Sequence, residues 1–192
     1  MNFVDLFQSP EFPIGMLDKA DAEVFSNACR PLSLAKGNCA AQQGHPQSAE
    51  LILVSGQVVS HVSDADGRQV CVDLFLGPCV ITPHVARSAG ETSLVTLEVT
   101  KDAELMQIPR ETLEGLMVAS STMRAWGNDV LRQTLTRKAS REWCLCALRG
   151  KERLAWFRDT YVGYEAQFGH KHIASFLGLT PVSLSRLRAD QT

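Results

Sequence analysis

No apolar run in this chain approaches the ~20 residues that a membrane-spanning helix needs. The opening stretch, MNFVDLFQSPEF, carries acids and no basic region ahead of an apolar segment. A secretory signal is therefore not expected, and the cytoplasm is the expected location. Cysteine spacings suited to a metal or iron–sulfur cluster are missing too. Cys29, Cys39, Cys71, Cys79, Cys144 and Cys146 form no C-x-x-C, and the 144/146 pair would diverge on a helix. Buried, inert, reduced thiols are the default for such a set, with a thiol-based redox switch as the alternative. The chain also lacks an H-x-H strand with a nearby Glu, a Ser/His/Asp motif, a phosphate loop and a dinucleotide fingerprint. No metal, cofactor or enzymatic activity is expected from it.

What is present begins with a core. Hydrophobic residues make up 45% of 192 positions, too many for a disordered chain and enough for one large domain or two small ones. The net charge of −2 conceals a division. Residues 1–130 hold 8 Lys and Arg against 16 Asp and Glu, whereas residues 131–192 hold 11 against 5. Only the basic rear is suited to meeting a polyanion.

That rear contains HKHIASFLGLTPVSLSRLRA, residues 170–189, which reads as two short helices around a tight corner. Ile173, Ala174 and Leu177 recur at helical spacing, and Gly178 suits the left-handed corner. Thr180 can cap the second helix and Pro181 fits its first position. Val182, Leu184 and Leu187 can turn inward, leaving Ser183, Ser185, Arg186 and Arg188 outside. The spacing alone fits an ordinary pair of core helices equally well. The outer face, hydroxyls and arginines with no acid between Thr180 and Ala189, favours a DNA-binding helix-turn-helix.

Ahead of it lie short helices over residues 2–29, then alternating runs punctuated by Gly and Pro. Leu32–Leu34, Glu50–Val54, Gln57–Val62, Val70–Leu76, Thr92–Val99 and Glu104–Ile108 read as strands, with a break at Ser55-Gly56. Asp64-Ala65-Asp66-Gly67 is a hairpin turn. A short helix over Arg110–Met117 precedes a long one that ends near Leu148. Its stripe of Met123, Trp126, Val130, Leu135 and Trp143 is too long for one small roll to cover, so part of it is expected to form a dimer seam. A further helix covers Lys151–Val162, and Gly163–Gly169 is a loop. The expected fold class is α+β. Residues 1–110 make a cupin-like β-roll with N-terminal helices, 111–148 the connecting and dimerisation helix, and 149–192 the DNA-binding domain.

This order, together with the string IASFLGLTPVSLSR, resembles the cyclic-AMP receptor protein/fumarate-nitrate regulator (CRP/FNR) family of transcription factors. The resemblance runs from about Leu32 to Arg188. Weaker matches are Lys36-Gly37 with Gly44-His45-Pro46, LILVSGQV, Asp66-Gly67-Arg68, Asp102–Leu105 with Ile108-Pro109-Arg110, and Lys151–Leu154. It implies a cyclic-nucleotide-binding-like roll acting as sensor, a homodimer, a palindromic double-stranded operator, and RNA polymerase as a further partner. Thr180, Ser183, Ser185, Arg186, Arg188 and Lys171 are the candidate DNA contacts, Arg186 first among them.

The chain departs from the family in four places. Where cyclic-nucleotide binders carry a Gly-Glu pair and a phosphate-binding Arg, this chain has Thr82-Pro83 and Ser93, with Arg87 out of register. An effector pocket built on Thr82, Arg87 and Ser93 is not expected to hold cyclic AMP tightly, because a buried cyclic phosphate needs a cationic partner. His45, His61 and His84 stand singly, more suited to surface or hydrogen-bonded roles than to haem ligation. Pro181-Val182 replace the Arg-Glu that reads a G·C pair, which predicts a different operator. The loop before the helix-turn-helix is too short for a β-hairpin wing. These departures leave open a degenerate member that acts through protein contacts.

Overall fold

Two long antiparallel strands organise the sheet. The computed structural model describes residues 17–81 and 92–190. Strands β3 (Ala49–Ser63) and β6 (Thr96–Pro109) pair along most of their lengths. The sequence predicts two shorter runs in each place. The structure corrects this: the break expected at Ser55-Gly56 is absorbed as irregular register between Leu53 and Val58. Gly56 makes this possible. Its φ of +102° is closed to most side chains, and a Cβ there would lie 2.6 Å from the Cα of Ala103.

Each long strand carries two short partners at its two ends. β1 (Arg30–Leu34) and β2 (Cys39–Ala41) pair with β6. β4 (Gln69–Leu76) and β5 (Cys79–Ile81) pair with β3. The path β1-β6-β3-β4 leaves β4 on an edge. The sheet curls around an apolar interior that includes Leu51, Leu53, Val58, Phe75, Leu97 and Val99. The β3–β4 hairpin turns at the predicted place, where the Asp64 carboxylate accepts from the amides of Asp66 and Arg68.

Helices α1 (Lys19–Ala28), α2 (Arg110–Ala119) and α3 (Ser121–Ala147) pack on the roll. Ser120 caps α3 by accepting from the Met123 amide at 3.2 Å, and its hydroxyl donates to Asp21 at 2.6 Å. This fixes the start of the long helix against the chain's first described helix. A second apolar cluster then forms from Phe25, Ile52, Ile108, Met123, Trp126 and Val130, with Phe25 edge-on to Trp126 at 5.1 Å. Three residues expected in a dimer seam, Met123, Trp126 and Val130, are thereby corrected to intrasubunit core. Helix α1 and the ends of β3 and β6 cover the first half of the stripe. Leu135 and Trp143 stay 53% and 55% exposed.

The chain ends in α4 (Gly150–Thr160), a single turn α5 (Tyr164–Gln167), α6 (His170–Phe176) and α7 (Pro181–Ala189). Their apolar faces do not form a separate core. Leu154, Phe157, Ile173, Phe176, Leu177 and Leu184 share one cluster with Val59, Cys71 and Leu74 of the sheet. Packing therefore crosses the boundary expected near residue 149.

Candidate nucleic-acid interface

The corner between α6 and α7 is built as its sequence suggests. Gly178 has φ +64°, the Thr180 hydroxyl accepts from the Ser183 amide at 3.1 Å, and Pro181 takes the first helical position. Leu184 is fully buried under the corner as expected, but Val182, expected to turn inward, is corrected to the outer face, where it is exposed with Ser185 and Arg186. Lys171 is exposed at the start of α6. The Ser183 hydroxyl lies 2.8 Å from that of Thr180, so these two candidates serve the cap.

Arg188 is not an outward reader, and the structure corrects that expectation. It lies one turn after Leu184 and two turns after Pro181, on the strip that faces α6. Its Nε donates to Glu165 Oε1 at 2.8 Å and its Nη1 to His170 Nδ1 at 2.8 Å. Glu165 in turn accepts from Arg158 Nε at 2.6 Å. The Arg158 guanidinium, joined by Arg188, holds the Glu165 carboxyl below the usual range against the opposing effect of burial.

Two arginines, Arg153 and Arg141, fasten this unit to the rest of the chain, and a third, Arg137, ties the long helix to β4. Arg153 spans the α3–α4 junction and the corner, donating to the carbonyls of Leu145, Leu148 and Leu177 at 2.9, 2.8 and 3.1 Å. Arg141 on α3 donates to Cys71 and Phe176 carbonyls and lies 4.7 Å above the Phe176 ring. The Cys71 amide donates to Ser175 Oγ at 2.9 Å, so α6 satisfies part of the open edge of β4. Arg137 forms a 2.8 Å ion pair with Asp73, whose side chain is 6% exposed, and lies over the Phe75 ring. Sequence reasoning missed all of these as positioning residues, together with His170 and Glu165. The signal available was only that the Lys151–Leu154 match included Arg153.

The candidate effector residues fare differently. Thr82 and Arg87 lie outside the described residues. Ser93 is 1% exposed and its hydroxyl is used locally, donating to the Val95 carbonyl at 2.7 Å. An open groove of about 740 Å³ runs along the outer face of the roll, lined in part by Cys39, His45, His61, Gln69 and Glu98. Among the described residues, no group of three or more His, Cys, Asp or Glu is placed to hold a metal ion. Burial pushes the Cys29 and Cys71 thiols up to about 12. No helix of the described residues is long and apolar enough to cross a membrane.

No protein-family model and no curated protein sequence matches the chain. Solved structures do. FixK2 from Bradyrhizobium japonicum superimposes with a TM-score of 0.73 at 19% identity, covering 84% of this chain and 83% of that one. A transcriptional regulator from Eubacterium rectale, assigned to the crp/fnr family, gives 0.69 at 20% identity, with 92% and 85% covered. CLP from Xanthomonas campestris, a c-di-GMP-responsive global regulator, gives 0.72 at 18% identity, with 91% of each chain covered. The chain therefore has the α+β fold of the crp/fnr regulators, a β-roll followed by a long helix and a C-terminal helix-turn-helix.

Proposed function

We propose that the chain is a sequence-specific DNA-binding transcriptional regulator that acts as a homodimer. One observation carries the reading: α7 buries Leu184 completely while presenting Val182, Ser185 and Arg186 outward on a segment free of acids. Arg186 is suited to the acceptor edge of guanine, Val182 to a thymine methyl, and exposed Lys171 to a phosphate. The exposed Leu135 and Trp143 on α3 give a second copy an apolar strip to cover, and a twofold pair of recognition helices fits a palindromic site. The effector is unassigned, and RNA polymerase is a further partner by resemblance alone. Buried thiols with raised pKa values speak against Cys29 and Cys71 as redox sensors.

The test is selection of duplexes from a random library with the full chain, followed by anisotropy titration. A palindromic consensus with strongly salt-dependent affinity is expected, since phosphate contacts release counterions. Arg186→Ala should cost about 1–3 kcal/mol against the consensus and relax preference at one position in each half-site. An unenriched library, or an Arg186→Ala variant that binds as wild type, overturns the assignment.

A further inference from the structure

His170 lies where three helices meet. It is the first residue of α6, its Nε2 is 2.7 Å from the Pro181 carbonyl oxygen, and its Nδ1 is 2.8 Å from Arg188 Nη1. The chemistry of these partners fixes the proton. A guanidinium can only donate, so Nδ1 must accept, and a carbonyl can only accept, so Nε2 must carry the hydrogen. The imidazole is the neutral Nε2–H tautomer in this arrangement.

What it holds is the recognition helix, at both ends. Pro181 is the first residue of α7 and Arg188 the last but one, two turns apart on one strip. Helical side chains lean toward the N-terminus, so the Arg188 guanidinium reaches back along α7 to the ring that already holds the Pro181 carbonyl. Glu165 on α5 supplies the second anchor of Arg188 and is itself held by Arg158 on α4. The charged groups that hydrogen bonds link to the ring among the described residues are thus Arg188 from α7, Glu165 from α5 and, behind it, Arg158 from α4. Lys171 follows it on α6.

We propose that His170 is a positioning residue for operator binding: its neutral ring sets the pose of α7 on α6, and a second proton on Nδ1 expels Arg188 and loosens that pose. A proton there would place an N–H and a positive charge against a guanidinium that offers only N–H groups. Among the described residues the carboxylate that holds Arg188 is Glu165, and it accepts from Arg158 as well. The consequence is a DNA affinity that falls on acidification. That sign is opposite to simple electrostatics, because a histidine cation beside a phosphate backbone would tighten binding.

This inference rests on the operator-binding reading above, and the experiment separates the two. The full chain, its His170→Gln and Arg188→Gln variants, and His172→Gln as a control are titrated against the selected duplex between pH 8 and 5.5. Ionic strength is constant, and circular dichroism monitors folding. The wild type and His172→Gln should lose on the order of tenfold in affinity, the scale of one lost charge-assisted hydrogen bond. His170→Gln keeps a donor for the Pro181 carbonyl and cannot protonate, so it should change less than twofold. Arg188→Gln should bind more weakly throughout, with neither acid dependence nor a changed salt slope. A wild type indifferent to acid, or a His170→Gln variant as acid-sensitive as wild type, overturns the proposal. So does an Arg188→Gln salt slope reduced by about one, which would make Arg188 a phosphate contact. Should no duplex bind any variant at any pH, the operator-binding reading fails and the positioning role with it. Imidazole ¹⁵N shifts of the DNA-free protein test the clamp separately, and an Nδ1–H tautomer there overturns it.

Discussion

Arg141 Nη2 donates to the carbonyl oxygen of Cys71 across 3.0 Å, joining the long helix to the edge strand of the roll. The same guanidinium donates through Nε to the Phe176 carbonyl at 3.1 Å. One side chain therefore satisfies a strand acceptor and a carbonyl at the end of α6. Any displacement of β4 is felt by the helix-turn-helix through this fork and through the apolar cluster beneath it.

Arg141→Ala should accordingly lower unfolding free energy by about 2–4 kcal/mol, since two charge-assisted hydrogen bonds and a cation–π contact disappear together. Arg141→Lys should recover little, because a single ammonium cannot span both carbonyls. Urea unfolding monitored by both tryptophan fluorescence and far-ultraviolet circular dichroism measures this. The two probes should give one coincident transition, as the cluster shared by β4 and α6 requires. Separate transitions would mean that the helix-turn-helix is a free-standing domain.

Acid should also lower the stability of the fold as a whole, through a second imidazole. Burial, and next the neighbouring Lys171, lower the His172 imidazole from its ordinary 6.5, while Glu98 raises it and His61 adds to the lowering. A depressed folded value means that the unfolded chain takes up the proton first. The stability tied to neutral His172 is intact above pH ~6.5 and is lost as pH falls through the lower folded value. The urea midpoint should drop between pH 7.5 and 5.5, and His172→Gln should drop less. An identical decline in both proteins would remove His172 from the account. Glu165, also depressed, contributes in a separate window below its ordinary 4.5.

The cyclic nucleotide question can be settled by calorimetry. Ser93 stands where the resemblance places a phosphate-binding arginine, and its buried hydroxyl is spent on the Val95 carbonyl. A cyclic phosphate at that point would lose its hydration against a spent hydroxyl where a cation is needed. Titration with cyclic AMP should give no binding at micromolar affinity. Heat consistent with a micromolar site would overturn this.

What the chain disclosed in one dimension was whatever depends on neighbours in sequence. Gly178, Thr180 and Pro181 announce their corner because a cap and a left-handed residue act within four positions. Asp64 and Gly67 announce the hairpin for the same reason. Gly56 misled: a glycine inside a strand looks like a stop, and only the approach of Ala103 on the partner strand turns it into a bulge. The fate of Trp126 depended on Phe25, a hundred positions away, which no periodicity encodes. Arg188 is the most instructive miss. Its spacing from Leu184 already placed it on the inner strip, but its charge suggested an outward role. Only the carboxylate of Glu165 and the ring of His170 explain why a guanidinium belongs there.

The exposed part of α3 yields the last prediction. Leu135 and Trp143 are eight residues apart, about 2.2 turns, so their side chains project roughly 80° from one another on the same half of the helix. Both remain half in water after the first half of the stripe has been consumed by Phe25, Ile52 and Ile108. Burying a leucine and a tryptophan against their symmetry mates would contribute a few kcal/mol of apolar stabilisation, at about 25 cal/mol per Å². Replacing both with Glu also sets like charges against each other across a twofold axis, so the double variant should sediment as a monomer at micromolar concentration. The variant should keep its far-ultraviolet spectrum and much of its melting temperature, because Met123, Trp126 and Val130 hold the helix to its own roll. Affinity for a palindromic duplex should fall far more than affinity for an isolated half-site, since only the former uses two linked recognition helices. A double variant that still sediments as a dimer would place the interface elsewhere, and equal losses on both duplexes would mean that one subunit reads the operator alone.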